Sequence, residues 1–97
     1  MNKNHEKDKI RNKMKLSFVN RSENESFARV AVAAFAAPLD PTVEELTEIK
    51  TAVSEAVSNA IIHAYEEDEE GMVTVECMIE NDGRITIIVS DSGIGIA

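Results

Sequence analysis

The feature that most constrains this chain is a change of hydrophobic period past its middle. From Pro41 to Tyr65, the residues Val43, Leu46, Ile49, Val53, Val57, Ala60, Ile61 and Ala64 recur at helical spacing. They therefore lie along one side of a helix and form a stripe that must be buried. The acidic run Glu66-Glu67-Asp68-Glu69-Glu70 and Gly71 read as a solvated turn. Beyond it Val73, Val75, Cys77 and Ile79 alternate with Thr74, Glu76, Met78 and Glu80, which is the period of a half-buried strand. Asn81-Asp82-Gly83 supplies residues that tolerate positive φ in a turn, and Ile85, Ile87 and Val89 repeat the alternation in a second strand. A helix with one apolar stripe, followed by a hairpin with one apolar face, predicts a two-layer α/β sandwich with antiparallel strands packed on helices.

The N-terminal half fits the same plan. Leu16 and Phe18 belong to a short alternating run expected to form an edge strand. Ser22-Glu23-Asn24-Glu25 has the pattern of a capping box, so a first helix is expected from about Glu23 to Ala37. Its inward residues are read as Phe27, Val30, Ala31, Ala34 and Phe35, with Arg29 outward. Pro38 and the pair Asp40-Pro41 should end this helix and start the next, because proline is tolerated at a first helical position.

A length of 97 residues suits one domain, and 43% hydrophobic residues with both charge signs place it among globular chains. No apolar run approaches the ~18 residues that span a bilayer, and no signal-peptide pattern is present. No membrane association is expected, and the expected location is cytoplasmic. The lone Cys77 falls on the apolar side of its strand, as a buried small hydrophobe. Between Met1 and Lys15 stand Lys3, Lys7, Lys9, Arg11, Lys13 and Lys15 against Glu6 and Asp8, whereas the whole chain carries −8. Residues 1–13 are expected to be a basic flexible tail and 14–97 the domain, with Met14 a second candidate start. No aromatic residue interleaves the basic ones and the body repels polyanions, so direct DNA binding is not expected.

Two groups of residues invite chemistry. Glu55, Asn59 and His63 follow one another at intervals of four, so they project along one side of the long helix, apart from its apolar stripe. An exposed helical glutamate is ordinary, but asparagine lowers helix propensity and its amide needs partners. Asn59 is open to two readings, a buried structural hydrogen bond or a ligand for a hard cation such as Mg²⁺. His63 lacks companions at zinc-ligand spacing and reads as a helix-end residue near a site. The run Asp91-Ser92-Gly93-Ile94-Gly95 is either a strand end with a turn or one wall of a nucleotide site, where glycines let a ligand approach the backbone. Strand parity puts Asp91 on the inward face with Ile85, Ile87 and Val89, where an ionised carboxylate needs a donor such as a purine amino group or a structured water.

Together these segments resemble a family. Ser54-Glu55-Ala56-Val57-Ser58-Asn59-Ala60-Ile61-Ile62-His63-Ala64-Tyr65 is similar to the asparagine box of the Bergerat-fold (GHKL) ATPases and kinases, and Asp91-Ser92-Gly93-Ile94-Gly95 to their first glycine box. Within that superfamily, Ser26-Phe27-Ala28-Arg29-Val30, Leu39-Asp40-Pro41-Thr42 and Glu45-Leu46-Thr47-Glu48-Ile49-Lys50-Thr51 resemble the anti-sigma F (stage II sporulation protein AB) family of endospore formers. The resemblance runs from about Met14 to Ile96. Ala64 departs from it, standing where sporulation members often have glycine.

The resemblance implies ATP and Mg²⁺ as cofactors. It implies Glu55 as the general base toward a serine hydroxyl, Asn59 as the Mg²⁺ ligand, and Asp91 as the adenine-reading carboxylate. Gly93 and Gly95 would give the nucleotide room, His63 would line the site, and Arg29 would lie on the face that meets protein partners. Those partners are the sigma F factor and an anti-anti-sigma factor, which the complete protein, as a homodimer, would bind and phosphorylate respectively. The chain corresponds to the N-terminal part of such a domain, without the family's ATP lid and second glycine box, so little kinase activity is expected from it alone. Two alternatives follow from the same residues: a catalytically inactive module that only binds a protein partner, and a fragment of another GHKL ATPase or histidine-kinase-like protein.

Overall fold

A computed structural model of the chain describes residues 9–66 and 70–93. Strand β1 (Ile10–Val19) leads into helix α1 (Glu23–Ala36), which tightens into a 3-10 turn at Ala37–Leu39. Helix α2 (Val43–Glu66) follows, then strands β2 (Gly71–Glu80) and β3 (Ile85–Gly93). The strands form one antiparallel sheet in the order β1-β2-β3, with both helices on one face. This is the expected two-layer α/β sandwich.

Register explains which side chains meet the helices. Val73, Val75, Cys77 and Ile79 of β2 are all buried; they stand opposite Phe18, Leu16, Met14 and Asn12 of β1 and opposite Asp91, Val89, Ile87 and Ile85 of β3. Val53, Val57 and Ala60 of α2 and Ala28 and Val32 of α1 close the core from above. Each such valine removed from water contributes roughly 1.5–3 kcal/mol. The hairpin between β2 and β3 turns at Asn81-Asp82-Gly83, with Gly83 at φ +90°, a value a side-chain-bearing residue adopts only under strain. Cys77 is buried as expected, and that burial raises the pKa of its thiol.

The fold departs from the sequence expectations at several points. Strand β1 begins at Ile10, so residues 10–13, expected in the tail, are strand. Strand β2 is ten residues long and offers β1 a full-length partner, while the Asn81 N–H extends the pairing by donating to the Lys9 carbonyl at 2.7 Å. Helix α1 buries Ala28, Val32 and Ala36, whereas Phe27 and Val30 are 56% and 62% exposed and Ala34 is exposed as well. The expected inward face is thus rotated, and only Ala31 and Phe35 of that set are even half-buried. Small residues let α1 lie close to the sheet, and Phe27 instead sits at its flank, edge-on to Phe18 with ring centroids 6.4 Å apart.

Helix starts differ too. Ser22 makes no side-chain cap hydrogen bond and sits in a right-handed helical conformation, so the expected capping box is not formed there. A reciprocal box forms instead at α2. The Thr42 hydroxyl accepts from the Glu45 N–H at 3.0 Å, and the Glu45 carboxylate accepts from the Thr42 N–H at 2.9 Å. The helix therefore starts at Val43 rather than Pro41, and Val43 is 84% exposed instead of belonging to the inward stripe. Asp40, at φ 54°, makes the reversal between the two helices.

Candidate functional site

Helix α2 carries two sets of residues. Val53, Val57, Ala60 and Ala64 face the core, and Glu55, Asn59 and His63 form an exposed stripe on the other side. Four-residue spacing stacks those three on successive turns. Among the described residues, none of the three makes a hydrogen bond or ion pair, so the carboxylate of Glu55 and the amide of Asn59 are open to solvent and to any ligand. Asn59 is therefore not a buried structural asparagine. That alternative rested on its place in an apolar helix, but its position on the turn points it away from the core.

Asp91 lies near the C-terminal end of β3. Its register partner is the buried Val73, which puts Asp91 on the helix-facing side of the sheet, as parity predicts. Its side chain is nevertheless exposed, which corrects the expectation of a carboxylate held against the apolar layer. Asp91 sits near the end of β3, which among the described residues is an edge strand paired with β2 alone. The exposed carboxylate is within reach of an incoming donor. Gly93 is the last residue of β3 and pairs with Gly71 across the sheet, while Gly95 lies outside the described residues.

Helix α2 packs across β2 and β3, so the stripe and the Asp91 end of β3 belong to neighbouring elements. A cavity of about 690 Å³ lies elsewhere among the described residues. It lies between the β1–α1 connection, at Asn20 and Arg21, and the last turns of α2, at Ile61 and Tyr65, and it includes none of Glu55, Asn59 or Asp91. The chemistry-bearing residues thus face open surface.

Arg29 is not the outward residue expected of it. It is half-buried and turned toward α2. Its Nη1 donates to Glu25 Oε2 at 3.0 Å and to Ser54 Oγ at 3.4 Å, and Nη2 donates to Ser26 Oγ at 3.5 Å. The sequence placed Glu25 in a capping box and Ser54 in the asparagine-box segment, and it did not anticipate that both would contact Arg29. The four-residue spacing of Glu25 and Arg29 was a usable signal, whereas the contact with Ser54 depends on how the two helices pack.

Among the described residues no group of three or more His, Cys, Asp or Glu side chains can hold a metal ion. A single amide oxygen at Asn59 is nonetheless compatible with Mg²⁺, which keeps waters and takes most of its ligands from substrate phosphates. The described helices include none long and apolar enough to cross a membrane.

Comparison with known proteins agrees with this arrangement. Residues 18–97 match the family model described as the histidine kinase-like ATPase domain. The "Anti-sigma F factor" of Clostridium novyi (strain NT) is 64% identical over 86 residues, covering 88% of this chain and 59% of that protein. The protein of the same name from Geobacillus thermodenitrificans (strain NG80-2) is 62% identical over 88 residues, 91% of this chain and 60% of that one. That from Clostridium perfringens (strain SM101 / Type A) is 65% identical over 85 residues, covering 88% and 60% respectively. The chain thus spans about three fifths of the length of these curated relatives. With a matching family model over most of its length and this arrangement of helices and sheet, the chain belongs to the histidine kinase-like ATPase domain family.

Proposed function

We propose that this chain is part of a cytoplasmic anti-sigma factor that binds and inhibits the sigma F factor. In its complete, homodimeric form that protein would use ATP to phosphorylate an anti-anti-sigma factor on serine. The observation that carries this reading is identity above 60% to proteins named "Anti-sigma F factor" over nearly the whole chain. The open stripe on α2 supports the catalytic half. Glu55 offers a carboxylate to accept the proton of a serine hydroxyl or orient it, Asn59 offers an amide oxygen to Mg²⁺, and Asp91 an acceptor to the amino group of adenine. Bound Mg²⁺ would supply charge neutralisation at the transferred phosphoryl group. As glycines, Gly93 and Gly95 would give the nucleotide room, His63 stands at the end of the same stripe, and Arg29 would present a cation to a partner.

Calorimetric titration tests both halves. Purified sigma F should bind the chain, and Arg29→Glu should weaken that binding by tenfold or more, about the 1.4 kcal/mol expected for losing one charge-assisted contact. ATP with Mg²⁺ should give a heat that Asp91→Asn abolishes. Sigma F binding that ignores Arg29→Glu would remove the partner face from α1. An ATP heat that survives Asp91→Asn would remove Asp91 from the adenine site.

A further inference from the structure

The contacts of Arg29 carry a consequence for how a partner is recognised. A guanidinium has five N–H donors in a rigid planar fork. Here Nη1 donates twice inside the protein, to Glu25 on α1 and to Ser54 on α2. Nη2 has a long contact to Ser26, and Nε makes no hydrogen bond among the described residues. The edge that remains is Nε with the adjacent Nη2 hydrogen, the side-on fork that matches the two oxygens of a carboxylate. The Arg29 side chain is 37% exposed and that of Glu25 22%, so part of the arginine remains accessible while the pair is shielded more than an ordinary surface salt bridge.

Glu25 moves with Arg29 because both belong to α1, but Ser54 belongs to the other helix. We propose that Ser54 is a positioning residue that fixes the Arg29 guanidinium relative to α2, making it a preorganised docking cation for a carboxylate on a protein partner. The inference rests on the partner-binding role proposed above and adds the residue that orients the cation. An arginine already held in one orientation loses less rotamer freedom when a partner docks, and that saving appears as affinity.

Ser54→Ala isolates the effect, because alanine favours the helix and changes no charge. Two measurements on the chain decide it, with Ser54→Thr as the variant that keeps the hydroxyl. Nitrogen-detected NMR of the guanidinium groups, with Arg29 assigned by Arg29→Lys, should show two resolved Nη signals in the wild type and in Ser54→Thr, merging in Ser54→Ala as rotation becomes free. Affinity for purified sigma F should fall about three- to fivefold in Ser54→Ala, the order expected when one side chain must be ordered on binding, and be retained in Ser54→Thr. Merged Nη signals in the wild type, or resolved signals that survive Ser54→Ala, would overturn the proposal. Unchanged affinity in Ser54→Ala alongside merged signals would also overturn it, since the pin would then be structural only. Resolved signals lost as expected, in a chain that binds no sigma F in any form, would instead count against the proposed partner and leave the pin standing.

Discussion

The two helices lie on the same face of the same sheet and use it differently. Helix α1 joins the core with β1 and β2 through Ala28 and Val32 and leaves its larger apolar residues Phe27 and Val30 exposed. Helix α2, across β2 and β3, sends Val53, Val57, Ala60 and Ala64 inward and Glu55, Asn59 and His63 outward. On α2, burial and candidate chemistry are separated around the helix, so the site residues can change without disturbing the core. On α1 they are not separated, because Arg29, the candidate partner residue, is packed against α2 through Ser54. Substitution at Arg29 therefore touches the helix interface as well as any partner.

The largest expected effect comes from placing the same charge on each helix. Val57→Asp puts a carboxylate at a fully buried position, with no partner there to pay for its desolvation, at a cost of several kcal/mol. Against the ~5–15 kcal/mol that holds a domain together, that should unfold a chain of this size, read as loss of cooperative thermal melting by circular dichroism. Val30→Asp, at 62% exposure, should stay within about 0.5 kcal/mol of the wild type. Comparable losses at both sites would mean that the outer face of α1 is covered.

A test of close approach comes next. Ala28→Leu forces extra methylenes between α1 and the sheet and should cost about 1–3 kcal/mol by urea denaturation. Ala34→Leu, on the exposed side of the same helix, should change stability by less than about 0.5 kcal/mol. If the two substitutions cost the same, small residues are not what sets the height of α1 above the sheet.

This contrast also explains how much of the molecule was legible in the sequence. The stripe of α2 was readable because polar residues interrupt it on every turn, and the strands because Thr74, Glu76 and Met78 mark the outer side of Val73, Val75 and Cys77. The inward face of α1 was not readable, since Phe27 to Ala36 is apolar nearly all round apart from Arg29, and choosing the larger residues as core selected the wrong side. The stripe Glu55, Asn59 and His63 followed from spacing alone. The exposure of Asp91 did not, because parity reports the side of a sheet and not whether anything covers it there. The contact of Ser54 with Arg29 was invisible for a third reason: it depends on the packing of two helices, which no local pattern encodes.

Helix starts give the next smaller difference. Thr42→Ala removes one half of the reciprocal box that begins α2 and should cost about 1 kcal/mol, with a matching fall in melting temperature. Ser22→Ala should be close to neutral because its hydroxyl caps nothing at the start of α1. A cost at Ser22 equal to that at Thr42 would show that the Ser22 cap forms in solution.

The smallest effect separates exposed carboxylates that help hold the fold from those open to a ligand. Asp82 is paired: its Oδ2 accepts from Arg84 Nη2 at 2.9 Å and its Oδ1 from the Arg84 N–H at 3.0 Å. Hydrogen bonding to Arg84 lowers its pKa below the ordinary aspartate value. A depressed folded pKa contributes stability that is fully present above the unfolded pKa and is lost as pH falls through the folded one. Asp82→Asn keeps the Oδ1 acceptor for the backbone and removes only the charge. The melting-temperature gap between wild type and Asp82→Asn should therefore be constant near neutral pH and close as the medium becomes more acidic than the folded pKa. It should be small throughout and shrink further with salt, because the pair is fully exposed. A gap that persists in acid would assign the contribution to the shape of the turn around Gly83 rather than to the charge on Asp82.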